Sequence, residues 1–273
     1  MLDGVIFLWF VLTAMALLFV AIDIRTTPES PVLKWGFVLV TAYTGVFGAF
    51  LYVLGCREPL PGLHEQYTAA RWRQTLGSTM HCVAGDGVGI LVGAALAGTL
   101  HLSGWWEVVL EYVLGFGFGW TIFQALFMRD MVGGSYWRSL TSTFIPELLS
   151  MNLLMAGMVP TMMLLKMHLG GASPASPVFW FVMSMALLVG AILAYPMNWW
   201  LVSYHLKHGM LTVRAAPMAG HEHAMAAAIP AAAQPSMKMD EAPKPHPSIP
   251  VMTLLSFAAL AVGIAIAWLS GSM

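Results

Sequence analysis

Three reactive side chains lie inside an apolar stretch that is long enough to cross a lipid bilayer. The segment 77–100 contains His81, Cys82 and Asp86. An ionisable group at membrane depth costs at least a few kcal/mol unless it faces protein or water, so each of these needs a partner. Small residues recur at four-residue spacing in the same segment, at Gly85, Gly89, Gly93 and Ala97. Because this spacing lets another helix approach closely, the sequence predicts a helix packed at the centre of a bundle.

Helical geometry divides the three reactive residues between two faces. Cys82 and Asp86 are four residues apart and are therefore neighbours on one face. His81 lies on the glycine side, roughly 140° from Asp86 at about 100° per residue. Their partners must come from other helices, and the polar candidates inside apolar segments are Glu111, Gln124, Glu147, Asn152 and Asn198. Such buried carboxyl groups permit proton coupling, or they serve only as hydrogen-bonding contacts between helices.

The residue types also suit a transition-metal ion. Thiolate binds copper(I) and zinc, imidazole binds zinc, copper and nickel, and thioether binds copper(I). We expect a metal site near one membrane face formed by Cys56, His81, Cys82 and Asp86. A methionine stripe and two histidines of a long loop are weaker candidates, namely Met151, Met155, Met158, Met162, His221 and His223. Ordinary packing of Cys and Met, and a loop that is merely polar, are the competing interpretations.

Composition excludes a soluble globular protein. The chain of 273 residues is 59% hydrophobic and only 9% charged. Since about 20 apolar residues span the hydrocarbon core, the sequence predicts an all-α, polytopic membrane bundle in contact with lipid. Seven spans are expected, near 2–22, 33–54, 77–100, 105–127, 140–166, 178–204 and 250–270. The first lacks a basic n-region and a small-residue cleavage site, so we interpret it as a retained anchor.

The spans suggest four parts. We expect an N-terminal two-helix extension (1–54), a core four-helix membrane domain (77–204), a tether (205–249) and a C-terminal transmembrane helix (250–273). The tether is rich in His, Met, Ala and Pro, and it is too poor in large aliphatic residues to form a core, so disorder is predicted. Pro146 and Pro160 are expected to kink or interrupt the fifth span.

Basic residues predict the orientation, because Lys and Arg are enriched in cytoplasmic loops. With seven crossings, the loops after even-numbered spans hold nine of the 12 Lys and Arg residues. We therefore expect a cytoplasmic N-terminus and a location in the inner (plasma) membrane of a bacterium. The net charge of −1 and the absence of a basic patch argue against a nucleic-acid partner.

Three runs of sequence point to a known family. HCVAGDGVGI at 81–90 is followed by EYVLGFGFGW at 111–120 and by VFWFVMSMALLVGAILAYPMNWWLVSYHLKHGM at 178–210. Over 77–210 the chain resembles the bacterial membrane proteins grouped as domain-of-unknown-function family 4396. The resemblance implies a membrane fold, and some members are labelled in connection with copper. Where that family has an Asp-Thr-Leu-Ser-like element, this chain has YWRSLTSTFIPELLSMN, so no role of that Asp is carried over.

These observations lead to three hypotheses of function. The first is a multi-pass membrane protein that binds or transports a soft transition metal such as copper. The second is a proton-coupled transporter of a small solute, in which Asp86, Glu111 and Glu147 titrate. The third is a structural membrane subunit of a partner complex. No nucleophile arrangement or paired-histidine zinc motif is present, so no catalytic residue is predicted and an enzyme is not expected.

Overall fold

The computed structural model describes residues 2–102, 104–129, 134–171, 173–210 and 244–270. These residues form ten α-helices, which in chain order are α1 (Leu2–Asp23), α2 (Pro31–Thr44), α3 (Val46–Gly55), α4 (His64–Thr68), α5 (Arg71–Thr99), α6 (Trp105–Phe118), α7 (Ala125–Arg129), α8 (Tyr136–Leu169), α9 (Pro177–Ser203) and α10 (Ile249–Leu269). A π-helical turn, Gly119–Gln124, joins α6 to α7. Within the described residues, six helical segments are long and apolar enough to cross a membrane. The predicted all-α polytopic fold is therefore confirmed.

The second predicted span consists of two helices that fold back on each other. α2 and α3 meet at Gly45, whose φ is 60°. The hydroxyl of Tyr52, near the end of α3, lies 2.8 Å from that of Thr27, which precedes α2. In a continuous helix, 14 and 10 residues would hold these ends roughly 36 Å apart. The segment is thus a hairpin with both ends at one side, and not the single crossing helix expected from its apolar length.

The tip of this hairpin lies deep against α1. A Cβ atom at Gly45 would lie 2.6 Å from the Thr13 hydroxyl and 3.1 Å from the Trp9 ring. Thr13 is ten residues before the end of α1, about 15 Å along the helix axis. The hairpin therefore reaches membrane depth and returns to its starting side. Such a re-entrant segment is tolerated where protein covers it, and one face of α2 is buried in the bundle.

The glycine ladder on α5 brings α6 into backbone contact, as predicted. A Cβ atom at Gly89 would lie 2.1 Å from the carbonyl oxygen of Leu114, and one at Gly93 would lie 2.9 Å from the Cα of Glu111. At the other end of the ladder, Gly85 approaches the π-helical turn. The two helices run antiparallel, and α5 is buried along most of its length.

The helix α8 continues through both of its prolines. Of the two effects predicted for them, a kink or an interruption, the interruption does not occur. It runs antiparallel to α9, with Gly190 packed against Leu154 and Met158. α10 packs on α8 in the parallel direction. Asn152 Nδ2 donates to Ser256 Oγ at 3.0 Å, and further along both helices Gly263 packs against Ala156. The C-terminal helix is therefore docked on the core. Of the predicted tether, 211–243 lie outside the described residues.

These directions define one end of the bundle, which we call the hairpin face. It holds the C-terminal ends of α1, α3, α7 and α9 and the N-terminal ends of α2, α5, α8 and α10.

The close approach of α5 and α6 predicts a specific intolerance at Gly89. Replacing Gly89 by Ala is expected to destabilise the protein by about 1–3 kcal/mol. The added methyl group would clash with the carbonyl oxygen of Leu114, which is part of the α6 backbone and cannot move independently of it. Thermal unfolding in detergent measures the loss. Gly117→Ala is the matched control, since nothing lies within 4 Å of a Cβ at that position. Equal losses in the two variants would contradict the prediction.

Candidate functional site

Three side chains converge at the open end of the α2–α3 hairpin. Glu29 precedes α2, Cys56 follows α3 and His64 begins α4. Their carboxylate oxygen, sulfur and imidazole nitrogen lie within 4.8 Å of one another, and all three residues are buried. In the part of the chain that the structure describes, no other group of three His, Cys, Asp or Glu side chains is spaced to hold a metal ion. We call this group the hairpin triad.

An ion pair holds the ends of α1 and α3 beside the hairpin triad. Arg57, next to Cys56, donates to the two Asp23 carboxylate oxygens from Nε and Nη2, each at 2.9 Å. Tyr52 donates to Asp23 Oδ2 at 2.7 Å. Two parallel bonds between a guanidinium and a carboxylate fix orientation as well as distance. The position of Cys56 relative to α1 is therefore set by its neighbours.

The electrostatics of the hairpin triad favour a cation. Burial raises the pKa of the Cys56 thiol well above its ordinary value, and the Glu29 carboxylate raises it further, whereas Lys34 opposes the shift. A thiolate and a carboxylate therefore repel each other here unless a positive ion lies between them. A metal ion reverses this, because its own charge dominates and a coordinating thiol loses its proton.

The three ligand types restrict the metal. Zinc takes Cys sulfur, His nitrogen and carboxylate oxygen in tetrahedral sites, and three protein ligands leave a fourth position open. Copper(I) prefers thiolate and thioether. The sequence predicts two thiolates, one imidazole and one carboxylate, whereas this set has a single thiolate beside an imidazole and a carboxylate. It is therefore harder than the predicted set and favours zinc over copper.

A second polar group lies inside the bundle, between α5, α8 and the segment after α9. Lys207 Nζ donates to Cys82 Sγ and, at 2.8 Å, to Glu147 Oε2. Cys82 Sγ itself lies 3.4 Å from Glu147 Oε2. Burial alone would lower the pKa of the Lys207 ammonium, but Cys82 and Glu147 raise it above its usual value, so Lys207 stays charged. We call Cys82, Asp86, Glu147 and Lys207 the core cluster.

Asn198 of α9 joins the core cluster to two serines. Its Nδ2 donates to Ser150 Oγ at 2.8 Å, and its Oδ1 accepts from Ser78 Oγ at 3.5 Å. The Cys82 thiol is 3.9 Å from the same oxygen. Cys82 therefore contacts polar groups and is not simply a packed apolar residue.

Asp86 lies one helical turn beyond Cys82 and faces Glu147. The two carboxyl groups are within hydrogen-bonding reach of each other. Nevertheless, no donor among the described residues reaches either oxygen of Asp86. On its other side, Oδ1 approaches Gly119 so closely that a Cβ there would be 1.8 Å away. Two carboxyl groups thus meet in the interior with no donor between them.

His81 faces a different direction, as helical geometry predicts. Its ring lies 4.7 Å from that of Phe127 and 5.9 Å from that of Phe123, measured between centroids. The side chain of Gln124 is beside it. His81 is therefore packed among aromatic rings on a different side of α5 from Cys82 and Asp86, yet it is close enough to Glu147 and Lys207 to interact with both electrostatically.

The structure does not bring the four predicted metal ligands together. Cys56 belongs to the hairpin triad, and Cys82 and Asp86 belong to the core cluster. His81 lies beside the core cluster but packs against aromatic rings on another side of α5. The methionine stripe is fully buried in the apolar core, where it comprises Met151, Met155, Met158 and Met162. His221 and His223 lie outside the described residues.

The remaining intramembrane polar residues lie further along the bundle. Glu111 is buried near the ion pair of Glu107 and Lys166, at the end of the bundle opposite the hairpin face. Asn152 accepts a hydrogen bond from Tyr112 at 2.7 Å. These contacts are consistent with polar groups that join helices.

Glu29 and Lys207 are functional candidates that the sequence did not indicate. Both are charged residues in connecting segments, where residue type does not reveal burial. A crossing helix at 33–54 would put Glu29 and Cys56 on opposite faces, so only the hairpin makes them neighbours. Lys207 falls within the run 178–210 that carries the family resemblance, but nothing in that run indicates that its side chain is buried.

Loss of Lys207 should make stability depend on pH. In Lys207→Met, Asp86 and Glu147 would lack a buried countercharge, which costs about 3–5 kcal/mol when a buried pair is broken. Protonation of a carboxyl relieves this, so the variant should be most destabilised at alkaline pH and least at acidic pH. Unfolding midpoints in detergent at several pH values measure the effect. Arg138→Met, at an exposed arginine, is the control, and a loss independent of pH would contradict the prediction.

Comparison with known sequences matches the region that holds the core cluster. The family model named domain of unknown function (DUF4396) matches residues 71–207, from the start of α5 to Lys207. The hairpin triad lies before this region. No curated protein and no solved structure matches the chain. Because the family match covers half of the sequence and confirms the resemblance seen in its motifs, the chain belongs to the DUF4396 family.

Proposed function

We propose that this membrane protein binds a transition-metal ion at Glu29, Cys56 and His64, as a step in handling or transporting that metal and not in catalysis. The observation that carries the proposal is the convergence of three buried ligand atoms of different types within 4.8 Å. The oxygen, nitrogen and sulfur set favours zinc, with copper as the competitor.

The hairpin also supports an orientation. Because the α2–α3 segment returns to its starting side, six segments cross, and the loops before and after the hairpin share one face. Of the ten Lys and Arg residues that the structure describes, all except Lys166 then lie in or beside segments at the hairpin face. This distribution favours a cytoplasmic hairpin face. Both chain termini would accordingly lie outside, which reverses the N-terminal assignment expected from seven crossings.

This orientation suits the hairpin triad. Cytoplasmic thiols are kept reduced, so Cys56 would remain available to bind metal. The tether between α9 and α10 begins and ends at the same face. The histidines at its two described ends, His205, His208 and His246, therefore lie at the same face as the hairpin triad.

Metal binding is tested on purified protein in detergent, stripped with a chelator and titrated with zinc and separately with copper(I). We expect one zinc per chain, bound more tightly than copper is. Loss of one ligand in Cys56→Ser, His64→Ala or Glu29→Gln should weaken zinc binding at least about tenfold, since even outer-shell changes have that effect.

Cys82→Ser is the matched control, because it removes the other buried cysteine from a site that the triad does not share. It should bind zinc as the parent protein does. Zinc binding that is lost equally in Cys82→Ser, or no zinc retained by the parent protein, would contradict the proposal.

The orientation predicts which residues can be labelled from outside the cell. In a background with both native cysteines replaced, Asp3→Cys should react with an impermeant maleimide in intact bacterial cells. Glu65→Cys, which is also exposed but lies at the hairpin face, should react only after the membrane is opened. Labelling of Glu65→Cys but not of Asp3→Cys in intact cells would contradict this orientation and support a cytoplasmic N-terminus.

A further inference from the structure

We propose that Asp86 and Glu147 form a carboxyl pair that holds a single exchangeable proton inside the part of the chain that defines the family. The proposal concerns the core cluster alone, and it does not depend on metal binding at the hairpin triad.

The geometry of the pair requires a positive charge or a donor. The two carboxyl groups are within hydrogen-bonding reach, and both residues are fully buried. Asp86 has no donor on either oxygen, and Glu147 Oε1 has none either, among the residues described. Two carboxylates that meet away from water do not both ionise, so such pairs share one proton.

The charges of the groups around the pair also indicate that it holds one proton. Lys207 is the cation of the core cluster, and it balances one carboxylate. Cys82 donates to Glu147 Oε2 as a neutral thiol. His81 is close enough to Glu147 to interact with it, and it counts as a neutral imidazole because its ring is packed among the aromatic side chains of Phe123 and Phe127. On α6, Tyr112 is close enough to interact with Asp86, but its hydroxyl donates to Asn152. One negative charge is therefore left over, and one proton neutralises it.

The hydrogen bonds also indicate where the proton resides. Glu147 Oε2 accepts from both Lys207 and Cys82, and such bonds stabilise the charged form of a carboxyl group. Asp86 receives no such bond, so the proton belongs on Asp86. Its hydroxyl then donates to Glu147 and supplies the donor that the contact lacks. Lys207 keeps Glu147 ionised, and Asp86 carries the exchangeable proton.

Gly119 adds a geometric requirement. Because Gly119 has no side chain, Asp86 Oδ1 can occupy the position that a Cβ atom would take. Gly119 begins the π-helical turn, which places it beside Asp86. π-Helical turns are frequent at functional sites, since they re-aim a short piece of helix. The pair thus depends on backbone placement by α6 as well as on its own two side chains.

Infrared difference spectroscopy tests the proposal directly, because a protonated carboxyl group has a C=O band that shifts in D2O. At neutral pH the intact protein should show such a band, and Asp86→Asn should remove it. Glu111→Gln is the comparison, because Glu111 is also a buried carboxyl but lies away from the core cluster. The Glu111→Gln variant should retain the infrared band of the Asp86 carboxyl group.

Two further variants keep the test independent of folding defects in Asp86→Asn. Lys207→Met should add a second protonated carboxyl, since Glu147 then has no counterion. Gly119→Ala should shift the band by displacing Asp86, whereas Gly117→Ala should leave it unchanged.

Two results would overturn the proposal. One is the lack of any protonated carboxyl band at neutral pH that depends on Asp86. The other is stabilisation by Na⁺ relative to choline at equal ionic strength that Asp86→Asn abolishes, which would assign the positive charge to a bound sodium ion. Zinc binding by Asp86→Asn should equal that of the parent protein, so failure of this proposal is distinguishable from failure of the metal site.

Discussion

A charge in the interior of a membrane protein must be compensated by something that is also in the interior. This constraint governs the arrangement of the core cluster. Lys207 and Glu147 are each about 1% exposed at the side chain, and neither can turn to water. Because Glu147 lies in α8 and Lys207 follows α9, their pairing fixes the segment after α9 against α8, and the bond from Lys207 to Cys82 fixes it against α5. Asn198 and the close approach of Gly119 to Asp86 surround this ion pair.

The same constraint explains why the hairpin folds as it does. Its backbone is helical on both sides of one glycine, so nearly all of its polar groups are satisfied within α2 and α3. Gly45, at the turn itself, is buried against Thr13 and Trp9 of α1. A continuous helix and a hairpin of this kind bury similar apolar sequences, and they differ only in what happens at Gly45. That single residue decides whether Glu29 and Cys56 lie together or on opposite faces.

Much of the fold follows from the sequence by physical reasoning. Length and apolarity predict six of the spans but mistake the hairpin at 33–54 for a seventh. The four-residue spacing of glycine predicts that another helix approaches α5 closely, although it does not identify that helix as α6. Helical geometry also separates His81 from Cys82 and Asp86. The hairpin triad could not be predicted, because its three members come from two loops that only the return at Gly45 brings together. Lys207 could not be predicted either, because a lysine beyond the end of a span ordinarily faces solvent, and its burial depends on tertiary contacts with α5 and α8.

The distance along the chain between Glu147 and Lys207 has a consequence for synthesis. The two residues are 60 positions apart, so α8 is made well before its cation. At a synthesis rate of about 5–20 residues per second, Lys207 is added several seconds after Glu147. During that interval the glutamate enters the membrane without a countercharge, and it does so most readily in its neutral form. Arrival of Lys207 then converts a neutral side chain into half of an ion pair, so the last residue of the family region completes the electrostatics of a helix inserted long before it.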